Sequence, residues 1–137
     1  MTTQESAAPV FDLDALDPKA LANEGAWVQI RLDNEPVGLE IKVQGRFSDA
    51  YEKQQQQLIR QQRNEFKRSG KFPVSDPSED EQRRVDLAVL VSIDWRGPAT
   101  KGRQFSKDAI RQIYVKQPWI VEQIDRAIME DARFLKR

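Results

Sequence analysis

Two segments near the N-terminus alternate apolar and polar side chains, and this alternation limits the folds that the chain can adopt. Residues 26–32 and 39–44 each place an apolar side chain at every second position, which is typical of half-buried β-strands. Residues 33–38 between them are turn formers, so the whole stretch predicts a β-hairpin over residues 26–44. Because a lone hairpin is marginally stable in water, we expect it to pack on helices or to join the sheet of another subunit.

A long polar helix is expected after the hairpin. Ser48 is a suitable N-cap for a helix over residues 49–69. The apolar residues of this helix form only a thin stripe, which consists of Tyr51, Leu58, Ile59 and Phe66. A helix this polar either projects into solvent or contacts a partner.

Three further helices are expected to form the core. The first begins at a capping box of Ser78 and Glu81 and runs to about Ile93, and its nearly continuous apolar sequence predicts the most buried element of the domain. Ser106 is a suitable cap for a short helix, and Pro118 suits the first turn of the last helix. The residues expected to pack together are Leu87, Leu90, Val91, Ile110, Ile113, Ile120, Ile124 and Ile128.

These elements predict a mainly α-helical domain of the α+β class, in which an N-terminal hairpin is followed by a bundle of about four helices. Residues 1–22 are acidic and are expected to form a flexible tail, although the segment could instead dock on a partner or on its own domain. A single domain should then span residues 23–137. Its predicted parts are the hairpin (26–44), the polar helix (49–69), a linker (70–77) and a helical core (78–137).

The three tryptophans lie at the predicted boundaries of these elements. Trp27 begins the first strand, Trp95 ends the buried helix and Trp119 opens the last helix. A tryptophan at such a position most often anchors one element on another and donates its N–H to a nearby carbonyl. The alternative is a hot spot for a partner.

The residue inventory argues against an enzyme. The chain contains no cysteine and no histidine, which removes thiol nucleophiles, imidazole ligands and the commonest general base. The acidic pairs Asp80–Glu81 and Glu130–Asp131 have ordinary explanations as solvated helix residues. The sequence has no phosphate-binding loop. We therefore expect no catalytic residue, no cofactor and no metal ion.

Charge is balanced over the whole chain but not locally. Lysine plus arginine equals aspartate plus glutamate, at 22 each, which argues against a dedicated nucleic-acid binder. Between Arg46 and Lys71, however, seven basic and three acidic residues give a local net charge of +4. Such a helix can attract phosphate or an acidic protein surface, or it can simply be a solvated face. With no apolar run near the roughly 20 residues of a membrane span and no signal peptide, a cytosolic protein is expected.

Three groups of segments, taken in order, form a recognisable pattern. They are a strand that leads into a polar helix (39–51), an apolar helix closing on tryptophan (89–97), and C-terminal segments at 105–109, 117–120 and 132–135. In this order and spacing, the chain resembles the tail assembly chaperones of long-tailed bacteriophages. The resemblance covers residues 39–135, about the C-terminal two-thirds of the chain.

The resemblance implies a binding role without an active site. Members of this family bind the tape measure protein, a very long helical chain that sets tail length. They keep it soluble in the host bacterial cytoplasm until tail tube subunits polymerise around it and displace them, and they are absent from the mature virion. The alternative is a virion structural protein of the tail or neck, such as a tail completion or terminator component; nucleic-acid binding is a weaker possibility.

We expect the partner to contact the polar helix and the hairpin, because the apolar stripes of the C-terminal helices are needed for the core. The exposed edge of the hairpin is expected to allow self-association into oligomers by strand addition. The candidate partner-binding residues are Tyr51, Leu58, Ile59, Arg60, Arg63, Phe66 and Lys67.

Overall fold

The computed structural model describes residues 10–72 and 76–136. Within these residues the protein is a mixed α+β structure with a three-stranded antiparallel sheet and six α-helices. A short 3-10 helix follows the third strand at Pro98–Thr100. The strands are β1 (Ala26–Leu32), β2 (Glu35–Val43) and β3 (Ser92–Arg96), and the helices are α1 (Pro18–Glu24), α2 (Asp49–Ser69), α3 (Pro77–Val91), α4 (Lys107–Lys116), α5 (Pro118–Ile128) and α6 (Asp131–Leu135).

The predicted hairpin is present as β1 and β2, but its turn is shorter than the expected residues 33–38. β2 begins at Glu35, which pairs with Leu32, so the connection is a two-residue loop of Asp33 and Asn34. Both loop residues have positive φ, 51° and 68°, which is the backbone of a type I′ turn. This turn matches the right-handed twist of the two strands and sets the pairing next to it, and the register then shifts at an irregularity between Gln29 and Arg31.

The third strand corrects the expected end of the buried helix. α3 ends at Val91, and residues 92–96 pair with β2 instead of continuing as helix and loop. Trp95 therefore lies within a strand and is buried, rather than closing a helix. No glycine or proline separates the two apolar patterns in the sequence, so the boundary was not predicted. In the structure the helix ends because Ser92 has an extended backbone, and the buried hydroxyl of Ser92 donates to Ala88 O at 2.6 Å.

The long polar helix has the predicted bounds. The Ser48 side chain accepts a hydrogen bond from Tyr51 N at 3.3 Å, and Gly70 ends the helix with a left-handed backbone. The cap of α3 differs from the expected box of Ser78 and Glu81. Asp76 is the N-cap, because Pro77 lacks an N–H and suits the first helical position. Residues 73–75 of the predicted linker lie outside the described residues.

The core lies between one face of the sheet and helices α3, α4 and α5, and its largest fully buried apolar side chains are Tyr114, Ile30, Ile41, Ile110, Ile124 and Ile128. Most of the predicted core is confirmed. Leu87 and Ile113, however, are only half-buried, and Leu90 is 37% exposed. Leu90 faces polar side chains of α2, such as Gln54 and Gln57, which do not cover it.

The N-terminal segment is more ordered than expected where it joins the domain. α1 begins at Pro18, is capped by the Asp17 side chain and packs against α6, with Ala22 buried. The expected flexible tail over residues 1–22 is therefore wrong for its last five residues. Residues 1–9 of that expectation lie outside the described part of the chain.

The last predicted helix is divided at Met129 into α5 and α6. Arg46 attaches α6 to the start of α2 through two hydrogen bonds to the Asp131 carboxylate, at 2.8 and 2.6 Å. Phe134 is buried beside Gly45, where a Cβ atom would lie 3.0 Å from the phenylalanine ring. A side chain at position 45 would therefore push α6 away from the sheet.

Alanine substitutions at a fully buried and at a partly exposed position should lower the stability by different amounts. Because Ile124 is fully buried, Ile124→Ala leaves a cavity and should lower the free energy of unfolding by about 2–5 kcal/mol. Leu90→Ala should cost less than about 1 kcal/mol, because part of this side chain is already in water. Chemical denaturation gives both values. Equal losses in the two variants would contradict this description of the core.

A second experiment tests the buried hydroxyl pair at the junction of α3 and β3. Since Ser92 Oγ donates to Ala88 O, the Tyr114 hydroxyl donates to Ser92 Oγ at 2.7 Å. Tyr114→Phe removes one bond and should cost about 1 kcal/mol, whereas Ser92→Ala leaves a buried hydroxyl without an acceptor and should cost about 1–3 kcal/mol. The double variant should lose less than the sum of the two. Additive losses would show that the hydroxyls do not interact.

Candidate interaction surface

Helix α2 is attached to the domain near its N-terminus. Lys19 Nζ contacts Asp49 at 3.0 Å and Glu52 at 2.8 Å, and these contacts raise the pKa of the lysine. Asn23 exchanges two hydrogen bonds with Asp49, at 2.8 and 2.9 Å. Tyr51 packs against the core, and this burial raises the pKa of its hydroxyl. The first turn is therefore held by α1 and by the core.

The distal half of α2 carries an exposed apolar strip. Ile59 is 54% exposed and Phe66 43% exposed. Phe72, which is 70% exposed, folds back after Gly70 and stacks on Phe66 with ring centroids 4.6 Å apart. No residue of α2 is buried within the part of the chain that the structure describes. We call Ile59, Phe66 and Phe72 the apolar strip.

A basic face runs alongside the apolar strip. Lys53, Arg60, Arg63 and Lys67 fall within about 80° of one another around the helix at 100° per residue, and all four are exposed. None of them has an ion-pair partner among residues 10–72 and 76–136, whereas Arg68 is paired with Glu65. We call these four residues the basic face. Its charge is available to an acidic partner.

The structure divides the seven candidate residues into two groups. Tyr51 and Leu58 are half-buried and turn toward the domain. The other five lie on the exposed surface: Ile59 and Phe66 in the apolar strip, and Arg60, Arg63 and Lys67 in the basic face. Phe72 and Lys53 were not among the predicted binding residues. An apolar residue just after a helix-ending glycine commonly contacts the last helical turn, and this signal could have identified Phe72.

The hairpin edge that was expected to support self-association is partly covered. β3 pairs with one side of the hairpin. On the other side, the Gln123 side chain accepts from Arg31 N at 2.9 Å and donates to Arg31 O at 2.7 Å. Arg133 also donates to Trp27 O at 3.2 Å. Side-chain groups thus take some of the positions that an added strand would use.

The tryptophans serve as internal anchors. Trp95 donates its N–H to Arg103 O at 2.8 Å, the bond type expected from the sequence. Trp119 donates instead to the side-chain oxygen of Gln117, also at 2.8 Å. The guanidinium of Arg96 covers the Trp27 ring at 3.9 Å. Each of the three tryptophan rings therefore contacts a residue of its own chain.

The acidic pairs singled out in the sequence are engaged with arginines. Asp80 contacts Arg83 at 2.8 Å, and Asp131 is held by Arg46, which lowers the pKa of that carboxyl. Across the described residues, no group of three or more acidic side chains is placed to hold a metal ion. Nor does any helix in residues 10–72 and 76–136 have the length and apolarity to cross a membrane.

The comparison with known proteins gives no functional information about the chain. No family model, no curated protein and no solved structure matches the chain. Any function must therefore be argued from the apolar strip and basic face, together with the resemblance in the order of sequence segments.

Two aromatic residues of α2 allow a matched test of its attached and exposed halves. Tyr51→Ala should lower the free energy of unfolding by about 1–3 kcal/mol, because the ring packs against the core. Phe66→Ala should lower it by less than about 1 kcal/mol, since this ring contacts only Phe72 among aromatic side chains of the described chain. Thermal and chemical denaturation measure the difference. A Phe66→Ala loss as large as that of Tyr51→Ala would show that the distal half is part of the core.

Proposed function

We propose that the protein is a tail assembly chaperone of a long-tailed bacteriophage. In this role it binds the tape measure protein in the host cytoplasm, keeps it soluble before the tail tube polymerises, and is displaced by tail tube subunits. The proposal includes no catalytic step, cofactor or metal. It predicts that the protein is absent from the mature virion.

The observation that carries the proposal is the apolar strip beside the unpaired basic face on α2. A tape measure protein is a long amphipathic helix whose exposed apolar side would aggregate before assembly. Ile59, Phe66 and Phe72 offer a narrow apolar contact to such a helix. The strip is small, so each copy would cover only a short part of the client, and many copies would be needed.

The basic face supports a contact that is reversible. Exposed charges contribute more to the rate of association than to affinity, and salt weakens them. Arg60, Arg63 and Lys67 span about 10 Å along the helix axis at 1.5 Å per residue. They could pair with acidic positions on a helical client without burying charge. Reversibility suits a chaperone that must leave when tube subunits arrive.

Reversing the basic face should abolish client binding without unfolding the protein. The variant Arg60→Glu/Arg63→Glu/Lys67→Glu should recover at least about tenfold less co-expressed tape measure protein by affinity pull-down, because attraction becomes repulsion. Its far-UV circular dichroism should equal that of the wild type, since all three side chains are exposed. Wild-type recovery by the folded triple variant across salt concentrations would refute the assignment of this face.

A control variant changes charge elsewhere. Lys116 and Arg126 are exposed and have no ion pair within the described residues. Lys116→Glu/Arg126→Glu should retain the client. Mass spectrometry of purified virions separates the proposal from its alternative: a chaperone is absent from the particles, whereas a structural protein of the tail or neck is present.

A further inference from the structure

Residues 10–17 form an acidic, apolar segment whose exposed side has no contact in the domain. Asp12 O accepts from Ala15 N and Leu16 N at 3.1 and 3.0 Å, which folds the segment into a turn. Val10 is 96% exposed and Leu13 79% exposed. We call residues 10–17 the acidic segment. It presents two apolar side chains and carboxylates in an ordered conformation.

Two carboxylates of this segment have no cationic partner. Asp12 and Asp14 are exposed, and neither is ion-paired in residues 10–72 and 76–136, although Asp12 Oδ1 accepts a hydrogen bond from Asp14 N at 3.1 Å. Asp17 is occupied as the cap of α1, where it accepts from Ala20 N at 3.1 Å. The chain therefore carries two unpaired acidic side chains in one place and four unpaired basic ones in another, although its total charge is zero.

The acidic segment and the distal half of α2 have complementary chemistry. Each combines exposed apolar side chains with unpaired charges of one sign: Val10 and Leu13 beside aspartates, and the apolar strip beside the basic face. An apolar contact flanked by opposite charges is the usual composition of a specific but reversible protein contact. The two surfaces therefore fit each other better than either fits a copy of itself.

We propose that the acidic segment of one copy docks on the apolar strip and basic face of a second copy. Within one chain the segment lines an open cavity of about 520 Å³ together with Leu21 and Leu135. The first turn of α2 is held at Lys19. Arg60 and Lys67 lie about 17–27 Å farther along the helix axis at 1.5 Å per residue. The segment cannot reach them while it stays seated on its own domain.

The contact joins two different surfaces, so it is head-to-tail. Such a contact repeats from copy to copy and forms either a ring or an open chain, depending on the rotation between neighbours. It differs from strand addition at the hairpin edge, which Gln123 and Arg133 partly cover. The inference does not depend on the proposed function, because self-association is measured without a client.

Charge exchange between the two surfaces tests this contact directly. One variant reverses the basic face (Arg60→Glu/Arg63→Glu/Lys67→Glu), which takes its charge from +4 to −2. Another reverses the acidic segment (Asp12→Lys/Asp14→Lys), which takes the charge of these two side chains from −2 to +2. Each full-length variant alone should self-associate at least about tenfold more weakly than wild type, because its two surfaces now repel. An equimolar mixture of the two variants should associate again, since each reversed surface meets its complement. Sedimentation velocity and light scattering measure these masses.

Placing all five substitutions in one chain should likewise restore self-association. The controls Lys116→Glu/Arg126→Glu and Glu35→Lys/Glu122→Lys make matched charge changes at other exposed positions, and both should associate like wild type. Added salt should weaken wild-type association.

A wild-type protein that stays monomeric at high micromolar concentration would overturn the inference. So would folded single-surface variants that associate normally, or a mixture of them that stays monomeric. Circular dichroism of each variant excludes misfolding, and a misfolded chain could not restore association in the mixture. If the basic-face variant loses client binding but sediments like wild type, this inference alone is refuted. If the wild type self-associates as expected but binds no client, only the proposed function is refuted.

Discussion

The direct junction between α3 and β3 at Ser92 is the feature on which the rest of the arrangement depends. Ser92 is fully buried, and its hydroxyl bridges Ala88 O at 2.6 Å and the Tyr114 hydroxyl at 2.7 Å. These bonds satisfy a polar group that would otherwise be costly in the core. They also join α3, β3 and α4 at one point. The chain thereby adds a third strand to the hairpin without a connecting loop.

The contacts that cover the sheet within one chain affect which surfaces remain for partners. β3 pairs with one side of the hairpin, and Gln123 and Arg133 bond to the backbone of β1 on the other. The inner face of the sheet is filled by α3, α4 and α5. α2 lies outside this core and buries none of its residues in the described structure. Its apolar strip and basic face are thus not needed to form the core, so they remain exposed for binding.

The elements predicted from the sequence agree with the structure where local chemistry determines them. The caps at Ser48 and Ser106 and the bounds of α2 were predicted from the residues present, and so was a hairpin at β1 and β2, although its turn is shorter than expected. Prediction failed where no local signal marks a boundary, or where a local signal was not used. Nothing local separates the apolar run of α3 from β3, whereas the Asp17 cap and Pro18 mark the start of α1, which packs on α6.

The same division holds for the candidate surface. The basic face was predicted because helical periodicity places its residues together. The coverage of the hairpin edge by Gln123 was missed because that contact joins residues 92 positions apart. Exposure of Leu90 was missed for a related reason: whether α2 covers it depends on the side chains that α2 places opposite it. Periodicity identifies a face of a helix but does not reveal what lies against it.

The separation of charge along the chain connects the two proposals physically. A surface with exposed Ile59, Phe66 and Phe72 is an aggregation hazard when it is left open. Docking the acidic segment of another copy would cover that strip with a weak contact. Because client and neighbouring copy would use the same face, they would compete, and a client offering a longer run of acidic and apolar positions would win by forming more contacts at once. Under both proposals, self-association would then hold the protein in a form that the client can displace, with no conformational change in the folded domain.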